Sequence, residues 1–136
     1  YIDGIVRIHQ YSIMSAPTVS QYAALSAILI GEPYVQEMKA EYDRRRKLVV
    51  EGLNSIGLPT IEPKGAFYAF PDVRPTGLTD DDFCERLLKE EHVAIVPGNS
   101  FGFSGIGYAR VSYATAYEKI EIAIEKMDRF IKRLNG

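Results

Sequence analysis

The chain has 136 residues, 46% hydrophobic and 25% charged, with a formal net charge of −2, a balance that suits one modest soluble domain. Its basic residues form no stripe, which argues against a nucleic-acid partner. The absence of a signal peptide or long uncharged apolar span argues against a membrane role. The one cysteine, Cys84, excludes an internal disulfide and fits a reducing cytoplasm.

Ile2, Ile5, Val6 and Ile8 crowd residues 2–14, a predicted helix with no convincing cap before it. The chain opens on Tyr1 rather than Met and reads as a piece of a longer protein. Residues 18–30 predict a second helix, nearly uncharged. A helix apolar on most of its circumference is normally buried on several sides. So short a chain can hardly cover it, and upstream sequence or another subunit is the expected partner.

Gly31 closes that helix and Pro33 suits the start of the next, predicted over residues 33–56. Val35, Met38, Tyr42, Val49, Leu53 and Ile56 fall on one stripe, and Gly57 supplies the stop. A narrow stripe on a long charged helix suggests a connector between two bodies of structure. Glu41 to Arg45 and Asp43 to Lys47 are spaced four apart in the favourable acid-first order. The Arg44 to Lys47 run therefore reads as a solvated helix face rather than a phosphate patch.

After Gly57 the pattern changes. Residues 58–61 and 66–70 predict short strands around the turn Glu62-Pro63-Lys64-Gly65. Residues 79–91 predict a helix capped by Thr79, with Asp80, Asp81 and Asp82 in the first turn, where the helix dipole favours acids. Cys84 lies on this helix and reads as packing, since a reactive thiol needs an electropositive setting. Residues 93–96 and 108–113 predict two more strands, separated by a glycine-rich loop. Thr115 and Glu118 have capping-box spacing before a last helix whose stripe runs from Ile120 to Leu134. The fold class is α+β: N-terminal helices and a long connector helix, then a small sheet with helices packed on it over residues 57–136.

Between residues 93 and 117 the only charged side chain is Arg110. On a strand it shares a face with Tyr108 and Ser112. A mid-strand arginine needs an anionic partner or a wet cleft, because burying it unpaired is costly. Its planar fork suits a carboxylate gripped through two hydrogen bonds. A salt bridge to a nearby acid or an exposed edge position explains it slightly better, so this segment alone names no function. The glycine-rich loop leads into a strand and lacks the Walker lysine, unlike a phosphate cradle. His9 and His92 have no partners at ligand spacing, so no metal site is expected.

Several segments together carry a resemblance: His9-Gln10-Tyr11, Ala16-Pro17-Thr18, Gln21-Tyr22-Ala23-Ala24, the acidic-basic run from Glu41 to Arg46, Lys64-Gly65-Ala66-Phe67-Tyr68, Val96-Pro97-Gly98, Ser100-Phe101-Gly102 and Tyr108-Ala109-Arg110-Val111-Ser112-Tyr113-Ala114. In this order the chain resembles the C-terminal third of fold-type-I, class I/II aminotransferases, especially the aspartate and aromatic aminotransferases of archaea and thermophiles. The resemblance spans essentially all 136 residues.

It implies a homodimeric, cytoplasmic enzyme that uses pyridoxal 5'-phosphate to move an amino group between an L-amino acid and a 2-oxo acid. Arg110 stands where the family places the arginine that pairs with the substrate α-carboxylate, and Phe67 where a residue lies beside bound substrate. Residues 1–32 would end the large cofactor-binding domain, 33–56 would connect, and 57–136 would form the small domain. The family's cofactor lysine usually sits in a Ser-x-x-Lys context, which does not occur here. That lysine is expected upstream, so no catalytic or cofactor-binding residue is expected within this chain and residues 1–136 alone should be inactive. Another pyridoxal enzyme such as a C–S lyase, or a stand-alone carboxylate-binding module, is the alternative.

Overall fold

Two apolar helices come first in the computed structural model, which describes residues 1–136 apart from the side chain of Asn135. α1 (Ile2–Ser12) stops short of the predicted residue 14. Ile13 turns extended, and the Ser12 hydroxyl donates back to the Ile8 carbonyl at 2.9 Å. α2 (Thr18–Ile30) follows, then the long α3 (Glu32–Ser55). The chain divides into two units, Tyr1–Lys39 and Ala40–Gly136, with the division falling inside α3. Within the first unit α1 and α2 bury no residue, and Ile28 on α2 is 81% exposed.

The second unit holds the core. Val49 and Leu53 of α3 are buried in it, and Tyr42 and Ile56 pack against it, as the stripe predicts, whereas Val35 and Met38 of the same stripe are exposed. The charged face of α3 is laced by ion pairs. Glu41 accepts from Arg44 and Arg45, which pull its carboxyl down to about 2. Asp43 pairs with Arg46 and Lys47, and Arg46 also reaches Glu62. At the end of the helix Gly57 takes a left-handed φ of 86°, and the Leu58 amide donates to the Leu53 carbonyl at 3.0 Å. That is the glycine stop the sequence predicts.

The strand expected at 58–61 does not form. Instead the Asn54 side chain occupies the backbone of Thr60, accepting from its N–H at 3.0 Å and donating to its carbonyl at 3.1 Å. Only an isolated bridge from Thr60 to Pro71 remains. The other strands are shorter than predicted: β1 (Tyr68–Ala69), β2 (Val96–Pro97), which overlaps the predicted 93–96 only at Val96, and β3 (Ala109–Ser112). β1 starts late because Ala66 is left-handed, φ 59°.

The sheet order is β1-β3-β2 and both pairings are antiparallel, with Tyr68 opposite Ser112 and Val96 opposite Arg110. β3 is therefore the central strand. Ala69, Ala109 and Tyr113 are buried in the core, while Tyr68, Arg110 and Ser112 line the opposite face of the sheet.

α4 (Asp80–Glu91) and α5 (Tyr117–Asn135) complete the core. Thr79 caps α4 as expected, accepting from the Asp82 amide at 3.1 Å and donating to the Asp82 carboxylate at 2.7 Å. Thr79→Ala is expected to destabilise this unit by about 1 kcal/mol, read as a lowered thermal midpoint, with Thr79→Ser close to unchanged. Cys84 is buried, and that burial, with Asp80 and Asp81 nearby, pushes its thiol up to about 12. This suits packing and not nucleophilic attack.

The capping box predicted before α5 is absent. Ala116 is the N-cap, its carbonyl accepting from Ile120 at 3.2 Å, so Thr115 lies one residue too early to cap. Glu118 keeps a favourable place in the first turn. Near the end of α4, Glu91 is almost fully buried and accepts from Arg129 at 2.8 Å and Arg133 at 2.6 Å, both on α5.

Candidate functional site

Arg110 stands on the outer face of the central strand, half-buried, in a setting unlike that of the other arginines in the sheet region. It makes no salt bridge and no side-chain hydrogen bond among the described residues, and no buried side-chain nitrogen there lacks a partner. Its unpaired N–H groups therefore reach solvent. Its neighbours are aromatic. The guanidinium carbon lies 4.4 Å from the ring centroid of Tyr68 and 4.5 Å from that of Phe101, inside the range of a favourable cation–π contact. Arg74 shows the contrast, since its guanidinium grips Asp72 at 2.8 and 2.6 Å.

This geometry removes both structural explanations that the sequence left open for Arg110. It is not at a sheet edge, and no acid among the described residues neutralises it. What remains is a cation with free donors beside two aromatic rings. A cavity of about 390 Å³ opens on the same side, lined by Tyr68, Phe70, Phe101 and Tyr108 among others.

Local folding explains each position. The β1–β3 register puts Tyr68 diagonally across from Arg110 on one face. Phe101 comes from the glycine-rich loop, which is a pair of 3-10 turns, Gly98–Phe101 and Phe103–Gly105. A Cβ at Gly98 would lie 2.0 Å from the Gly105 carbonyl oxygen, and one at Gly105 equally close to that of Gly98. Only glycines allow the turns to stack this tightly. The loop is tied down at both ends. The Gly98 amide donates to the Tyr108 carbonyl at 2.8 Å, and the Asn99 amide to the buried Asp80 carboxylate at 2.8 Å.

Phe67, the second residue singled out in the sequence, reaches this cluster at one remove. Its ring stacks on Tyr42 at 6.1 Å and tilts against Tyr68 at 4.5 Å. Tyr68 and Phe101, which the sequence did not single out, are the rings in contact with Arg110. The face shared by Tyr68 and Arg110 depends on pairing register, which local sequence does not carry.

An unpaired arginine on a central strand, with two aromatic rings at its guanidinium, has donors of the geometry that suits a carboxylate or another small anion. Comparison with known proteins makes the class specific. The family described as aminotransferase class I and II matches residues 1–127, and the chain belongs to that family. It is 49% identical over 133 residues to an aspartate aminotransferase of Pyrococcus abyssi, and 47% identical over 133 residues to aromatic-amino-acid aminotransferase 2 of Thermococcus litoralis. Each match takes in 96% of this chain and 34% of the relative, so the chain spans about a third of the length of these curated relatives.

Among solved structures, the aromatic aminotransferase from Pyrococcus horikoshii superposes with a TM-score of 0.90 at 52% identity, over 97% of this chain and 36% of that one. The fold is thus that of the matching portion of the fold-type-I aminotransferases.

Proposed function

We propose that this chain is the carboxylate-holding, C-terminal part of an aminotransferase that moves an amino group between an L-amino acid of aspartate or aromatic type and a 2-oxo acid. The observation that carries the reading is Arg110, a half-buried cation with no acidic partner among the described residues and open N–H groups. Such a guanidinium is suited to a bidentate grip on a carboxylate. Substrates of this class all share an α-carboxylate, so one arginine serves both the amino donor and the 2-oxo acceptor. Residues 1–32 would close the large domain, 33–56 would connect, and 57–136 would form the small domain.

Pyridoxal phosphate, when bound, supplies the electron sink for breaking the Cα–H bond. Four of this chain's lysines are engaged in ways that do not suit the role of holding it. Lys47, Lys89 and Lys132 are exposed and paired with Asp43, Glu85 and Asp128, and Lys126 donates to the Glu91 carbonyl. A lysine that attacks a carbonyl must be free to do so, these four are engaged, and no Ser-x-x-Lys occurs in the chain. The cofactor is therefore assigned to a lysine upstream, and residues 1–136 alone are expected not to transaminate. Arg110 holds the substrate's carboxylate, and with it the orientation of Cα. Phe67 is assigned a weaker role beside the substrate, through its contacts with Tyr68 and Tyr42.

A cytoplasmic homodimer agrees with the reducing-compartment composition and the apolar, exposed α2. The aminotransferase relatives do not favour a stand-alone binding module. The experiment is product analysis of the full-length protein with aspartate or phenylalanine and 2-oxoglutarate. Glutamate and the matching 2-oxo acid are expected in equal amounts. Sulfide or ammonia release from a sulfur amino acid, without amino transfer, would replace this reading with a lyase.

A further inference from the structure

Arg110 has a long, flexible side chain, and about 2 kcal/mol of rotamer entropy opposes holding it in one place. An acid partner would hold it, but would also consume its donors and cancel its charge. Water alone would leave it mobile. Among the described residues no acid reaches it, and two aromatic rings flank it instead. Tyr68 and Phe101 approach the guanidinium carbon to 4.4 and 4.5 Å, and neither side chain accepts a hydrogen bond from it among the described residues.

We propose that Tyr68 and Phe101 are positioning residues that hold Arg110 ready for the substrate carboxylate while leaving its charge and its N–H donors free. The inference rests on the reading of Arg110 as the carboxylate grip. The ring quadrupoles attract the cation without neutralising it. Aromatic side chains also have few torsions of their own to freeze, so they hold a neighbour at little entropic cost.

Both rings are themselves held. Tyr68 sits in β1, paired through Ser112 to the arginine's own strand, and its ring packs on Phe67 at 4.5 Å. Phe101 sits at the end of a 3-10 turn anchored to Asp80 of α4 through Asn99, and its ring meets Phe70 edge-on at 5.7 Å. The glycine-rich loop thus carries one ring of the pair to the arginine.

The proposal is tested by a double-mutant cycle in the full-length holoenzyme. Phe101→Leu and Tyr68→Leu are measured alone and with Arg110→Ala, alongside the conservative Phe101→Tyr and Tyr68→Phe. KM for the preferred amino acid and for the 2-oxo acid are read together with kcat. Kd is read for the α-methyl analogue of the amino acid, which has no Cα proton to lose. Each leucine variant is expected to raise both KM values and this Kd by roughly 2- to 30-fold, the range of one cation–π contact. The change in kcat should be smaller, and the conservative variants should restore binding.

In the Arg110→Ala background the leucine substitutions should add almost nothing, because no guanidinium remains to hold. Leucine effects of equal size in both backgrounds would overturn the proposal, because the rings would then act without Arg110. So would leucine variants that bind normally while Arg110→Ala does not. If Arg110→Ala itself binds normally, the carboxylate reading fails first and this proposal falls with it. Phe101 is 45% exposed and Tyr68 half-buried, so these variants are expected to fold, and their thermal midpoints are measured in parallel.

Discussion

Arg110→Ala in the full-length protein is expected to weaken binding of both the amino acid and the 2-oxo acid by roughly 30- to 5,000-fold. That range corresponds to about 2–5 kcal/mol for truncating one member of a hydrogen-bonded charge pair. The lower half is the better expectation, because Arg110 is only half-buried and its nitrogens reach solvent. In the alanine variant the substrate carboxylate would sit beside the two aromatic rings with no counter-charge.

Arg110→Lys keeps the charge and loses the planar fork. A lysine would also make a poorer fit between Tyr68 and Phe101, so its effect should fall between wild type and alanine. Spectroscopic titration of the holoenzyme gives Kd for both ligands. Unchanged binding of the amino acid and the 2-oxo acid would refute the assignment.

Phe130→Ala carries the largest expected effect on stability. Phe130 is 0% exposed and meets Phe83, also 0% exposed, edge-to-face at 5.5 Å where α4 packs on α5. Arg86 and Arg133 lie over its ring at 5.5 and 5.9 Å. Deleting the ring removes buried apolar surface, leaves a cavity and loses an aromatic pair. The expected cost is about 3–5 kcal/mol. It would be read as a fall in the thermal midpoint of the full-length protein. Phe130→Leu fills most of the space and should cost clearly less. Equal midpoints for the alanine variant and wild type would mean that this helix pair is not a cooperative part of the fold. The consequence for function is indirect: α4 anchors the loop that carries Phe101, so loosening α4 against α5 should also weaken substrate binding.

Helices were the most legible elements, because their signals are local. The spacing of Val49 and Leu53, the Thr79 cap and the glycine stop at Gly57 each involve residues within a few positions of one another. The strands were less legible. Residues 58–61 have the composition of a strand, but Asn54, six positions before Thr60, takes Thr60's backbone hydrogen bonds. Thr115 has the right spacing to Glu118 for a capping box, yet α5 begins one residue later. In both cases a local pattern was overridden by where the chain had to go next.

The sequence by itself determined the helical stripes, the α+β class, the family through its ordered motifs, and Arg110 as an exceptional charge. These depend on residue type and short spacing, and they survive without coordinates. Tertiary structure decided what surrounds Arg110. Pairing register put Tyr68 on the same face, and the stacked turns at Gly98 and Gly105 brought Phe101 back to it. The absence of an acid partner among the described residues is likewise a fact of three-dimensional placement. Asp72 lies in the same sheet region and pairs with Arg74 instead. That pair is local, two residues apart, but that no acid from another segment reaches Arg110 depends on distances of a few ångströms between segments far apart in the chain, which local sequence does not encode.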